Sequence, residues 1–242
     1  MINDILKNKT CFLTGASGGL GKTIAMKMAE NGCNLFLTSA KPSKLRELAE
    51  LLQSLYGNKR KVACASGDLN RVADIKNIIN KTRKEFGHVD IVVNCAGVFP
   101  VLSLANSKLT DLQGCFNVNV RAAFLFCQEF HKDMVRNKWG RIINIGSSSA
   151  YSGAKDTSIY CATKHALLGF SRALNAELKE YNIRTFCVSP GSVRTEMGKL
   201  VRNQNFETFI DPKEIAEYII FISSFDGALI SEEIRLNRMI MG

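Results

Sequence analysis

The stretch Thr10-Cys-Phe-Leu-Thr-Gly-Ala-Ser-Gly-Gly-Leu-Gly-Lys-Thr-Ile-Ala-Met-Lys-Met28 decides how the chain is to be read. Thr10–Thr14 is a short, β-rich apolar run and predicts a strand. Gly15, Gly19 and Gly21 follow it, with Ser17 and Leu20 among them, and open a helix whose buried face is expected to include Leu20, Ile24 and Met28. Glycine lets the backbone turn tightly and approach a pyrophosphate, while the helix N-terminus supplies unpaired N–H groups and a positive dipole end. A glycine-rich turn taken alone is equally a tight connection. Its position after the first strand is what points to a dinucleotide.

Outward from this turn, β-rich runs alternate with helical patterns almost to the end of the chain. Strands are expected at 10–14, 34–39, 61–65, 91–94, 141–145, 184–189 and, more weakly, 233–236. Between them, Leu45, Leu48, Leu52 and Leu55 keep a helical period, as do Ile75, Ile78, Ile79 and Phe86. Strands apolar throughout suit a parallel sheet covered on both faces, and the alternation reads as βαβ units. The expected fold is α/β: a single doubly wound Rossmann-type domain over 1–242, with a central parallel sheet flanked by helices. Such sheets bind ligands at the carboxyl ends of their strands. Those ends read Thr14–Gly21, Thr38-Ser-Ala-Lys41, Ser66-Gly-Asp68, Asn94-Cys-Ala-Gly97, Gly146-Ser-Ser-Ser149 and Pro190-Gly-Ser-Val-Arg-Thr195, all small, polar or glycine-rich.

Tyr160 and Lys164 are four apart and share a helix face. A free tyrosine titrates near ~10 and is a poor base at neutral pH, whereas a neighbouring ammonium favours the phenolate. Cys161, Ala162 and Thr163 are small enough to let this helix approach a cofactor. Tyr151 and Lys155 repeat the spacing, but Gly153 interrupts them and they directly follow a strand, so a loop is expected there. Tyr160 instead begins a helical pattern through Ala166, Phe170, Leu174 and Leu178. Tyr151 is left as a residue of the substrate cleft.

Taken in order, Thr14–Gly21, Asp68, Asn94-Cys-Ala-Gly97, Asn119, Ser147, Tyr160-Cys-Ala-Thr-Lys164 and Pro190–Thr195 resemble the short-chain dehydrogenase/reductase family over nearly the whole chain. The resemblance implies a cofactor half at about 1–140 and a catalytic and substrate half at about 141–242. It implies Asn119, Ser147, Tyr160 and Lys164 as the catalytic set. Ser147, thirteen residues before Tyr160, would hold the substrate oxygen. Asn119 would interrupt a helix and hold a water leading from Lys164 to solvent. Thr14, Gly15, Ser17, Gly19, Leu20, Gly21, Asp68, Leu69, Asn94, Ala96, Gly97, Tyr160, Lys164, Pro190, Gly191, Val193 and Thr195 would line the cofactor. The family usually shows a second Asn where Cys95 stands.

An NAD-preferring site carries an acid about 20 residues past the glycine loop. Here the second strand ends in Thr38-Ser39-Ala40-Lys41, and the first acid afterwards is Glu47. Ser39 and Lys41, with Ser43 and Lys22 nearby, would suit a 2′-phosphate, so NADP(H) is expected over NAD(H). Gly140-Arg-Ile-Ile-Asn-Ile-Gly-Ser147 looks most like 3-oxoacyl-[acyl-carrier-protein] reductases, and an acidic carrier protein would suit a basic surface. Two departures stand: the segment between Thr195 and Pro212 is short for a substrate lid, and Arg238 and Met239 replace an expected glycine pair. A more open cleft would also admit a sugar or nucleotide-sugar. A non-catalytic dinucleotide sensor is the reading from a different class, and an intact Ser147/Tyr160/Lys164 set argues against it.

The 242 residues carry a formal charge of +10, with basic residues spread along the chain and no basic arm. A small-molecule or carrier-bound carbonyl substrate is expected, and no nucleic-acid or membrane partner. No apolar run approaches the ~20 residues needed to span a bilayer, and the opening residues, with Asp4, have no apolar h-region; a cytoplasmic location is expected. Eight cysteines with no Cys-x-x-Cys pair read as reduced thiols, and with three scattered histidines no metal site is expected. Helices over Leu109–Arg136 and Tyr160–Tyr181 are those that the family pairs, so a homodimer or homotetramer is expected. Phe124, Phe130, Phe170 and Leu174 are the candidate apolar residues of its interface.

Overall fold

The computed structural model describes residues 5–239; the first four residues, including Asp4, lie outside them. Seven strands form one sheet: β1 (Thr10–Thr14), β2 (Asn34–Ser39), β3 (Val62–Ser66), β4 (Ile91–Asn94), β5 (Gly140–Ile145), β6 (Ile183–Pro190) and β7 (Glu233–Leu236). Their order across the sheet is β3-β2-β1-β4-β5-β6-β7, and each neighbouring pair is parallel. The helices are α1 (Gly19–Glu30), α2 (Pro42–Tyr56), α3 (Val72–Phe86), α4 (Leu109–Phe116), α5 (Ala122–Asn137), α6 (Ser158–Leu178) and α7 (Pro212–Ser224). The chain winds one way from β1 to β2 and β3, then crosses back to β4 and runs the other way. That reversal leaves a crevice at the carboxyl ends of β1 and β4, where doubly wound sheets take their ligands.

Period-2 alternation within the strands builds two core layers. Leu13, Leu37, Val93 and Ile143 face one way, onto α1, α2 and α7. Phe12, Phe36, Val92 and Ile142 face the other, onto α3 and α5. In the second layer Phe12 meets Phe126 and Phe130 at ring separations of 4.7 and 4.8 Å. Phe130 is therefore core, not an outer-surface residue: a ring completing that aromatic cluster is fully buried. The leucine stripe of α2 ends a turn earlier than its periodicity suggests. Leu45, Leu48 and Leu52 are buried but Leu55, in the last turn before Gly57, is 54% exposed.

The second residue of β5 is an arginine that the apolar pattern does not anticipate. Arg141 is fully buried. Its Nε donates to the Ser223 carbonyl (3.1 Å), Nη1 to Gly140 (2.9 Å) and Asn182 (3.4 Å), and Nη2 to Phe225 (3.1 Å) and the Asp226 carboxylate (2.7 Å). Burial pulls its guanidinium down to about 10 while Asp226 opposes the shift, so the charge survives at neutral pH. This residue fastens the carboxyl end of α7 to the sheet.

All eight cysteines are free thiols; Cys11, Cys33, Cys115, Cys127 and Cys187 are buried. Desolvation pushes Cys33 and Cys127 up to about 12. These five are expected to resist a disulfide reagent at pH 8 in the native protein, and all eight to react after unfolding; an early reaction of Cys33 or Cys127 would contradict the packing. Groups with a folded pKa above the unfolded value stabilise fully below the unfolded value and lose that contribution as pH rises through the folded one. Stability should therefore decline from about pH 9 upward, where the unfolded chain's thiols ionise.

Candidate active site

The parallel register sets Thr14 opposite both Thr38 and Asn94, and Asn94 opposite Asn144, so the strand ends form one row. Thr14 Oγ1 accepts from the N–H groups of Cys95 (3.1 Å) and Ala96 (3.0 Å), locking the loop after β4 to β1. Gly15 has φ of +69°, and a Cβ there would meet the Ala96 nitrogen at 2.7 Å. A Cβ on Gly21 would stand 2.2 Å from the Gly15 carbonyl oxygen. Only glycine closes this turn and starts α1 at the crevice. Ser17 and Ser39 share a hydrogen bond between their hydroxyls, and Ser39 Oγ also accepts from the Lys41 N–H at 3.0 Å. The glycine loop and the end of β2 are thus one polar unit, with Lys41 exposed beside it.

Gly19 packs against Thr195: a Cβ on the glycine would come within 2.9 Å of the threonine methyl. The segment after β6, carrying Pro190, Gly191, Val193 and Thr195, therefore reaches over the glycine loop. Its shape is held by the Val193–Ile210 bridge and by the Gly191 N–H donating to the Leu236 carbonyl at 2.8 Å. Arg238, standing where a glycine was expected, donates to Thr208 Oγ1 (2.8 Å) and Gln204 Oε1 (3.0 Å) and lies over the Phe209 ring. The tail thereby ties down the short segment between Thr195 and Pro212.

Tyr160 and Lys164 lie one turn apart near the start of α6, both buried. Lys164 Nζ donates to the Ile145 carbonyl at 2.6 Å, hooking the helix to the end of β5 two residues before Ser147. Ser147 opens a short 3-10 turn, and its Oγ accepts from the Ser149 N–H at 3.1 Å. With that acceptor position used, the hydroxyl proton is free to donate outward. Phe99 packs edge-to-face on Tyr160 with centroids 4.6 Å apart. No motif singles out Phe99; its signal in the sequence is an aromatic side chain just after the small residues Cys95-Ala-Gly97.

Asn119 lies in a turn of π-helix, Asn117–Arg121, that joins α4 to α5, so the helix expected over Leu109–Arg136 is interrupted at that residue. Its side chain accepts from the Val98 N–H (2.8 Å) and donates to the Val98 carbonyl (3.0 Å) and Thr163 Oγ1 (3.1 Å). Thr163 in turn donates to the Tyr160 carbonyl at 2.7 Å. Asn119 is thus coupled to the Tyr160 turn of α6 through Thr163, a link its own motif did not disclose.

Two proposed cofactor contacts have other work for their side chains. The Asn94 side chain donates inward to Asn144 Oδ1 at 2.8 Å. Asp68 accepts from Asn70 N–H at 2.9 Å and Nδ2 at 3.1 Å and is exposed, whereas Leu69 beside it is buried. Tyr151 and Lys155 do not share a helix; both lie in the irregular segment between the Ser148–Ala150 turn and α6. Among the described residues no three His, Cys, Asp or Glu side chains converge as metal ligands, and no helix is long and apolar enough to cross a membrane.

A parallel doubly wound sheet with a glycine-lined crevice and a Tyr/Lys pair at its mouth defines a dinucleotide-dependent oxidoreductase architecture. The family model for short chain dehydrogenase matches residues 9–205, and the chain belongs to that family. It is 29% identical to a hydroxy(phenyl)methylsuccinyl-CoA dehydrogenase subunit of Thauera aromatica, covering 95% of this chain and 94% of that one. It is 28% identical to a 3-oxoacyl-[acyl-carrier-protein] reductase of Aquifex aeolicus, covering 95% of each. Among solved structures, a metagenomic short-chain oxidoreductase in complex with NADP superimposes with a TM-score of 0.83 at 25% identity, over 97% of this chain and 100% of that one. The protein is an oxidoreductase of the NAD(P)-binding type.

Proposed function

We propose that the protein moves a hydride between NADP(H) and a carbonyl or secondary alcohol, acting most naturally as a reductase of a 3-oxoacyl group on an acidic carrier protein. The observation that carries the reading is the Lys164 hook on Ile145 beside Ser147, with Tyr160 one turn earlier on the same helix. The crevice fits a dinucleotide: Gly15 and Gly21 let the loop turn tightly and start α1 at the crevice, where the helix N-terminus would meet the pyrophosphate. Asp68, Leu69 and the 94–97 loop would hold the adenosine half, and residues 190–195 the nicotinamide half.

The bound nicotinamide supplies or accepts the hydride. Ser147 donates to the substrate oxygen and stabilises the charge that grows there. Tyr160 protonates the nascent alkoxide in reduction and takes that proton in oxidation. Lys164 would hold the ribose side of the cofactor, and Asn119 steadies the turn that bears Tyr160 through Thr163. Relatives named for acyl groups on CoA or on a carrier protein support the acyl assignment. The test follows NADPH absorbance with a 3-oxoacyl carrier-protein substrate. Brisk oxidation supports the assignment; no turnover alongside intact NADPH binding would direct the substrate search to sugars and nucleotide-sugars.

Cofactor preference rests on Ser39 and Lys41, where an acid would repel a 2′-phosphate. Ser39→Asp is expected to shift the kcat/KM ratio for NADPH over NADH by at least about tenfold toward NADH, equivalent to about 1.4 kcal/mol. An unchanged ratio would remove Ser39 from the 2′ site. The α4–α5 and α6 helices are proposed to pair in a homo-oligomer through exposed residues such as Phe124 (45% exposed), Leu109 and Leu112. Light scattering giving a monomeric mass at micromolar concentration would contradict this.

A further inference from the structure

Tyr151, set aside as an acid–base residue, borders a second cavity. A space of about 260 Å³ opens beside the Ser147 turn, lined by Ser148, Tyr151, Ser152, Ser189, Arg235 and Asn237. Ser148 directly follows Ser147, and Ser189 directly precedes Pro190, so this cavity adjoins the proposed reaction site on the β7 side. The guanidinium of Arg235 lies over the Tyr151 ring, 3.4 Å from its centroid. Tyr151 is itself braced, donating its hydroxyl proton to Glu233 Oε2 at 3.3 Å.

The charges around this cavity do not cancel. Glu233 sits two residues from Arg235 on β7, but its Oε1 is taken by Arg172. The Arg172 hydrogen bond holds the Glu233 carboxyl below its usual range. Arg172, Arg235 and Glu233 together leave one positive charge in excess. Among the described residues Arg235 has neither a carboxylate at ion-pair distance nor an acceptor for its N–H groups. A guanidinium held flat on an aromatic ring keeps its edge donors in a fork that matches a planar carboxylate or a phosphate.

We infer that the substrate carries an anionic group, a carboxylate or a phosphate, which Arg235 binds on the Tyr151 shelf, with Ser148 and Asn237 as neutral donors. This rests on the reaction site proposed above, since the cavity is a substrate subsite only if hydride transfer occurs beside Ser147. Within the 3-oxoacyl reading, the arginine then selects acyl substrates that themselves bear an acidic group able to reach the cavity beside Ser147.

Calorimetric titration of the full-length protein with succinate and with inorganic phosphate, each with and without saturating NADP⁺, tests this directly. Saturable binding of at least one anion is expected, with affinity at least tenfold weaker in Arg235→Gln and partly retained in Arg235→Lys. Which anion binds decides between carboxylate and phosphate. Tyr151→Leu, which removes the shelf but leaves the charge, should also weaken binding; thermal melting and circular dichroism establish that each variant is folded. Failure of both anions to bind the native protein, or equal binding by Arg235→Gln, overturns the inference. NADPH-linked turnover and its loss in Tyr160→Phe are measured separately. A failed catalytic reading thus shows as turnover insensitive to Tyr160, whatever the titration gives.

Discussion

Tyr160→Phe is expected to lower kcat by about 10²–10⁴-fold, the usual worth of a positioned acid–base group, with NADPH affinity changed little. The ring keeps its contact with Phe99 and its place beside Lys164, so only the hydroxyl is lost. Stopped-flow or steady-state NADPH absorbance gives the rate, and fluorescence titration gives the cofactor affinity. Tyr151→Phe serves as the internal comparison: it removes the hydroxyl from the other Tyr-x-x-x-Lys pair and is expected to leave most of kcat in place. A large loss of kcat in Tyr151→Phe with full activity in Tyr160→Phe would reverse the assignment. If no carbonyl compound is turned over while NADPH binds tightly, the sensor reading gains.

Arg141→Met is expected to destabilise the fold by about 3–5 kcal/mol, the cost of breaking a buried charged network, and to lower Tm by roughly 10 °C or more. Methionine fills part of the volume but donates nothing, leaving buried carbonyls of Gly140 and Ser223 without their partner. Asp226→Asn should cost far less, about 1 kcal/mol or under, because that side chain is 36% exposed and can turn to water. Chemical denaturation of both variants gives the two values, and equal losses would show the network to be dominated by the ion pair alone. Loosening α7 would also loosen the neighbouring segment that reaches over the glycine loop, since Asp211 both caps α7 through the Lys213 N–H (2.8 Å) and pairs with Arg194 (3.0 Å).

The elements and their class are legible in one dimension. Strand runs such as 10–14, 34–39, 91–94 and 233–236 are legible because hydrophobicity and β-branching act locally, and the structure has strands with those bounds. The glycine turn is legible for the same reason: backbone freedom at Gly15 belongs to the residue itself, and the lack of room for a Cβ at Gly21 is set by Gly15 and Ala16 in the same turn. The Tyr160 and Tyr151 pairs separate by the presence of Gly153, again a local signal.

What each side chain touches is settled by the folded chain. Arg141 draws on carbonyls more than eighty residues away, which no window of sequence reports. Phe130 has the same helical pattern as a surface aromatic and becomes core because Phe12 of β1 meets it across the α5–sheet contact, beside Phe126 one turn earlier on α5. The Ser17–Ser39 bond joins two candidate cofactor residues that the sequence could name but not connect. Arg238 read as a departure from a glycine pair and proved to be the tie between the tail and the segment 204–209. The Tyr151–Arg235 stack needed β7 laid beside β6 before its two halves met. Propensity and periodicity are short-range and survive in one dimension; partners of buried charges and the walls of a cavity are set by chain crossings, and those exist only once the sheet is assembled.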